Sequence, residues 1–203
     1  MTLRGLRVVL TLTLLFSVPC SAQETITEPS TGKTFPAEVK FTDAGKEYTL
    51  KATGTAVRKK IFFKVYGMVH YMQDPERTGE EQAFRTILTD GKAKEITMEF
   101  VRDVTTAQIR DAYRDGFKQN ATTDEMKEIT SLVDKFLQVF DRDVKEGDRF
   151  TLRWSPGGRI IPIVTGAEKP SIQNTTFARV LWSIWFGGDS IVDREDLVSR
   201  MVD

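Results

Sequence analysis

Thiol and imidazole groups are almost missing from this chain: its 203 residues include one cysteine, Cys20, and one histidine, His70. A Cys-His nucleophile and a histidine-rich zinc site therefore lack their parts, and neither a metal nor any other cofactor is expected. An excess of one charge is lacking too, with Lys+Arg and Asp+Glu both at 29. That balance gives no electrostatic signal for nucleic acid or for anionic membrane surfaces. No apolar run reaches the roughly 20 residues that span a bilayer. Phosphate loops are missing as well, because Gly157-Gly158 falls in a hairpin turn and Gly187-Gly188 at a helix end, not between a strand and a helix.

What is present begins with an address. Arg4 and Arg7, an apolar run over residues 8–18 and Pro19-Cys20-Ser21-Ala22 form the three parts of a secretory signal peptide. Residues 1–22 are read as that signal, with the mature protein periplasmic or secreted. Cys20 is also a place where a lipid could attach, although Ser17 and Pro19 make a poor context. Cleavage after Ala22 removes the only cysteine and leaves 27 Lys+Arg against 29 Asp+Glu. The exported chain must then be stabilised by packing, not by disulfides.

Residues 23–35 read as a polar lead-in and 36–203 as one domain. Strands are expected at 36–41, 48–57 and 61–72. The third is apolar on both faces and therefore central. A short helix follows at 80–88 and a strand at 95–101. Thr105 with Gln108 and Thr122 with Glu125 form two capping boxes, each opening a helix. The second carries an apolar stripe from Met126 to Val139 and Phe140. Ser155-Pro-Gly-Gly158 turns a hairpin between residues 149–154 and 159–165. Phe177, Val180, Leu181, Ile184 and Trp185 mark one face of a helix ending at Gly187, and 193–201 read as a closing helix. Strands, a helical block, a hairpin and more helices predict an α+β fold with an antiparallel sheet packed against a helical layer.

The stretch over residues 54–72 holds two polar side chains in apolar surroundings, Arg58 and Tyr66. With a sharp turn at Lys59-Lys60, Arg58 belongs to a solvated basic tip and lies far from Tyr66. With the reversal near Phe62, the two are cross-strand neighbours and could share one ligand group, a carboxylate held by the guanidinium and the phenol. His70, in the same strand, reads as a hydrogen-bonded structural histidine. Trp182 and Trp185 read as core, on a helix that can also wall a pocket.

Residues Gly54-Thr-Ala-Val-Arg58 and Lys64-Val-Tyr-Gly-Met-Val-His-Tyr-Met72 resemble the paired strands of the chalcone isomerase fold. The run 147–158 and the Val-Leu-Trp-Ser-Ile-Trp-Phe-Gly helix resemble the end of the bacterial chalcone isomerase-like group. The family includes flavonoid-ring-closing enzymes and non-catalytic relatives that hold fatty acids. The resemblance implies a cleft between sheet and helices, with Arg58 matching an arginine of both branches. Tyr66 matches the tyrosine of the fatty-acid binders, and Ser183 matches a Ser/Thr position of the enzyme cleft. It also puts Ile109 and Gly116 where the enzymes carry tyrosine and asparagine, which argues against ring closure. The expectation is an exported, non-catalytic binder of a fatty acid or similar amphipathic carboxylate, with Arg58, Tyr66 and Ser183 as ligand-binding residues. The alternatives are an isomerase or intramolecular lyase on an unknown substrate, and a cell-envelope interaction module with a vestigial cleft.

Overall fold

A computed structural model describes residues 23–202. The signal-peptide reading of residues 1–22 lies outside them. In chain order the elements are β1 (Thr25–Thr27), β2 (Thr34–Pro36), β3 (Glu38–Asp43), β4 (Lys46–Lys60), β5 (Phe63–Met72), α1 (Glu80–Leu88), β6 (Lys94–Phe100), α2 (Thr106–Asn120) and α3 (Thr123–Leu137). After them come β7 (Arg149–Ser155), β8 (Arg159–Val164), β9 (Ala167–Glu168), β10 (Ile172–Gln173), α4 (Thr175–Phe186) and α5 (Arg194–Leu197). Strands β3 to β10 form one antiparallel sheet, ordered β10-β8-β7-β6-β5-β4-β3 with β9 on β8. Helices pack against it, as the α+β reading expects.

Both capping boxes form. Thr105 and Thr122 accept from the backbone N–H groups of Gln108 and Glu125, whose side chains bond back to the cap N–H groups. The larger core lies between the sheet and the helices, where α4 buries Phe177, Val180, Leu181, Trp182, Ile184 and Trp185. A smaller core lies on the other face of the sheet, built from Phe41, Tyr48, Leu50, Ala52, Val69 and Tyr71. Its cover is a surprise in the polar lead-in. Strands β1 and β2 pair as a small hairpin and drive Phe35 into that second core, where it is 1% exposed. One aromatic residue in a polar segment is enough to anchor it, and composition hid that.

Two other expectations shift. Helix α3 ends at Leu137, so Val139 and Phe140 are buried beyond its end. The closing helix is one turn instead of nine residues, because backbone groups there bond elsewhere: Arg200 N–H donates to Thr53 O at 2.9 Å and Met201 O accepts from Thr78 N–H at 2.8 Å.

Two buried bases set the sign of the stability's pH dependence. Burial, with Lys94 adding to it, holds the His70 imidazole well below its ordinary 6.5. Lys94 lies against the Trp154 ring at 4.0 Å and donates to Thr89 O and Lys92 O. Burial lowers its pKa to about 7, against the opposing pull of Asp90. The unfolded chain protonates both groups more readily, so stability rises with pH from acid toward the ordinary lysine range. Above about pH 10 the buried phenols reverse the sign, since burial raises Tyr66 to about 12 and raises Tyr71 as well. Thermal melts should show a higher midpoint at pH 9 than at pH 6, by about 2–4 °C for each kcal/mol gained, and a fall above pH 10. A profile flat from pH 6 to 9 would contradict a Lys94 that gives up its proton inside the fold well below the ordinary lysine range.

Candidate functional site

Plain alternation along β4 would place Arg58 on the same face as Tyr48, Leu50 and Ala52, away from the helices. The strand avoids this with a register slip between Ala52 and Gly54 that leaves Thr53 without a cross-strand partner in β5. One extra residue moves every later side chain to the opposite face. Beyond the slip, Gly54, Ala56 and Arg58 stand opposite His70, Met68 and Tyr66, and Ala56, Met68 and Tyr66 belong to the helix-side core. Thr53 is held from three directions. Its hydroxyl meets His70 Nδ1 at 2.7 Å and lies within bonding distance of Leu197 O (2.8 Å) and His70 O (3.3 Å).

Lys60 pairs with Phe63, so the chain reverses at Ile61 and Phe62, and Arg58 and Tyr66 are direct cross-strand partners. The reversal near Phe62 is thus the one adopted. Both side chains border a cavity of about 470 Å³, within the range of about 300–1,000 Å³ usual for small-molecule pockets. Its floor is Tyr66, Met98 and Phe100 of the sheet. Its walls are Ile109, Tyr113 and Gly116 of α2 and Ile184 and Trp185 of α4, and Arg58, Lys60, Arg102 and Asp103 stand among its polar lining residues.

The lining combines the donors of Arg58, Lys60, Tyr66, Arg102 and Tyr113 with the acceptor-bearing side chains of Asp103, Gln108, Asp115 and Gln119. Arg58 Nη1 donates to Ile191 O at 2.6 Å. This is the one hydrogen bond it makes among the described residues, and the guanidinium has five N–H groups. The Tyr66 oxygen accepts from Trp185 Nε1 at 3.0 Å, which leaves its own O–H to donate. Burial raises Tyr66 to about 12, although the Trp185 bond and the Arg58 charge pull it down. Tyr113 is pushed well up by burial, with Tyr66 adding to the effect. Both phenols therefore stay protonated in the neutral range. At the rim, the bond from Lys145 and the Glu146 N–H hold the Asp103 carboxyl below its ordinary value, which makes it a weak base. The Arg58 guanidinium and two phenol donors over an apolar floor, with Lys60 and Arg102 also in the lining, suit holding an anionic head with an apolar tail better than shuttling a proton.

Of the expected ligand-binding residues, Arg58 and Tyr66 come together and Ser183 does not join them. Ser183 is buried, its hydroxyl donates to Arg179 O one turn back at 2.9 Å, and the cavity lining does not include it. The helix backbone has taken the group that a ligand would need. Ile109 and Gly116 do line the cavity. A Cβ on Gly116 would come within 2.9 Å of Ile184 Cδ1, so α2 and α4 pack too closely there for an asparagine unless Ile184 moves. Tyr113 and Trp185 are the partners that residue pattern missed. Tyr113 shares a helix face with Ile109 and Gly116 at spacings of four and three, a readable signal. Nothing in the sequence shows that the Trp185 indole reaches Tyr66. His70 is outside the cavity: Trp182 Nε1 donates to its Nε2 at 3.4 Å, which puts the imidazole proton on Nδ1, facing Thr53. No group of three or more metal-ligating side chains occurs among the described residues, and no helix among them is long and apolar enough to cross a membrane.

A family model described as chalcone isomerase-like matches residues 29–201. No curated protein sequence matches the chain. Among solved structures, the chain is similar to the crystal structure of a fatty-acid binding protein from Arabidopsis thaliana. The TM-score is 0.70 at 17% identity, covering 88% of this chain and 97% of that one. At that identity the likeness concerns the fold.

Proposed function

The chain belongs to the chalcone isomerase-like family, and on that footing we propose that it is an exported, non-catalytic protein that binds a fatty acid or similar amphipathic carboxylate. The observation that carries this reading is the cross-strand pairing of Arg58 with Tyr66 at the border of an apolar cavity. The carboxylate accepts from the Arg58 guanidinium and the Tyr66 hydroxyl. The tail lies along Met98, Phe100, Ile109 and Ile184, with each buried methylene contributing about 0.8 kcal/mol. The fatty-acid binding protein of similar fold supports the ligand class.

Mass spectrometry of small molecules extracted from the purified protein tests the reading directly, and recovery of long-chain acids is expected. Titration with such an acid should then show Tyr66→Phe weakening binding about 2- to 10-fold, the worth of one hydrogen bond. Affinity should stay level from about pH 6 to 10, because Tyr66 keeps its proton up to about 12. It should fall on acidification through the ordinary carboxyl range near 4.3, where the ligand loses its charge. A chain that carries no acid and binds none would end the proposal.

A second reading draws on the same donors. Tyr66 and Tyr113, both protonated, could stabilise an oxyanion developing on an enone, as an isomerase or intramolecular lyase requires. Turnover of enone substrates that Tyr66→Phe abolishes would establish it over the binding reading.

A further inference from the structure

Ile61, Phe62 and Phe63 are 80%, 93% and 59% exposed, and they are the large apolar side chains left in solvent among the described residues. They occupy the tip of the β4–β5 hairpin. We propose that this tip is a membrane-docking element that inserts into the headgroup region of an anionic lipid surface.

Charge supports that occupant. Lys59, Lys60 and Lys64 flank the three apolar residues, and the Arg102 guanidinium lies over the Phe63 ring at 4.6 Å. The nearby carboxylate of Asp103 is paired with Lys145 at 2.8 Å, so it does not cancel them. The balanced total charge conceals this because acidic groups elsewhere offset a local cluster. Aromatic and aliphatic tips ringed by lysines fit a bilayer interface, where apolar groups enter the acyl boundary and ammonium groups stay at the phosphates. A protein partner fits less well: lysine is depleted from protein interfaces, and three residues at one turn are far from the 20 to 30 that a stable interface uses on each side.

The backbone adds an independent observation. Ile61 has φ of 57°, the left-handed region, at the first position of a two-residue hairpin loop. Glycine or asparagine takes such positions easily, whereas a β-branched residue is strained there. Isoleucine at this point is unfavourable for the isolated chain both in backbone strain and in exposure, which points to use of the side chain outside it. Lys60, Ile61 and Phe63 also line the cavity, so docking brings its mouth to headgroup level. The docking claim stands apart from what the cavity holds, and either can fail alone.

The test uses the full chain with Phe62→Trp, because Trp154, Trp182 and Trp185 are all buried and give a constant background. The apolar run of residues 8–18 can bind vesicles by itself, so the readout must be local to the tip. With phosphatidylglycerol vesicles at low salt, emission of the introduced indole should shift to the blue and be quenched by brominated acyl chains. Phosphatidylcholine vesicles should give little of either, and high salt should reverse the shift. In the same Phe62→Trp chain, Lys59→Glu with Lys60→Glu should weaken the vesicle affinity read from the indole shift at least 10-fold, and Ile61→Ser with Phe63→Ser likewise, with circular dichroism unchanged. No shift with either lipid, an equal shift with both, or tip-dependent self-association without vesicle binding would overturn the proposal.

Discussion

Arg58→Ala is expected to weaken binding of a long-chain carboxylate by about 100-fold, or about 3 kcal/mol, while the fold persists. The size follows from what the mutation leaves behind. A carboxylate at the border of an apolar cavity has exchanged water for the guanidinium, and truncating the partner leaves that charge desolvated, without the one cation that stands directly opposite Tyr66 in the sheet. The fold loses little, since Arg58 is part-buried and its one hydrogen bond among the described residues goes to Ile191 O in the loop after α4. Arg58→Lys should fall between, keeping the charge but losing the planar fork. The methyl ester of the same acid separates anchoring from packing: it should bind the native protein and Arg58→Ala about equally. Isothermal titration of acid and ester against the three proteins checks each point. Equal affinity of the acid for the native protein and Arg58→Ala would remove Arg58 from the anchor.

Much of the framework that presents Arg58 is local, and so it is legible in the residues. The capping boxes at Thr105 and Thr122, the Ser155-Pro-Gly-Gly158 turn and the two-faced apolar strand, which runs over 63–72 and not from Ile61, each carry their structure in a few neighbouring positions. Reading Arg58 and Tyr66 as partners needed only the place of one reversal. The parity of β4 was harder, because strict alternation puts Arg58 on the wrong face and only the isolated Gly54 hints at the slip that corrects it. Contacts between distant segments left no local mark. Phe35 covering the second face of the sheet, Trp185 bonded to Tyr66, and the last residues tied to Thr53 and Thr78 all depend on where separate elements meet. Ser183 shows the converse: a position matched by resemblance donates its hydroxyl to its own helix and stands apart from the cavity lining.

Gly54→Ala is expected to destabilise the protein by about 3 kcal/mol or more, lowering the thermal midpoint by about 6–12 °C at this chain length. An added Cβ would lie 2.1 Å from Asp196 O and 2.6 Å from the Leu197 carbonyl carbon. Those atoms are backbone, so no rotamer change relieves the clash, and either β4 or α5 must move. Moving α5 strains the Thr53 bond to Leu197 O and the Arg200 bond to Thr53 O, and it loosens buried Leu197, Val198 and Met201. Gly188→Ala is the matched control: a Cβ there meets nothing within 4 Å, and its effect should stay within about 0.5 kcal/mol. The two variants also test what holds the site together. If α5 pins the slip at Thr53, and the slip turns Arg58 toward the helices, then Gly54→Ala loses carboxylate binding along with stability at temperatures where it is still folded. Normal binding by a destabilised but folded Gly54→Ala would show that β4 keeps its register without α5, leaving the pairing of Arg58 with Tyr66 to the hairpin alone.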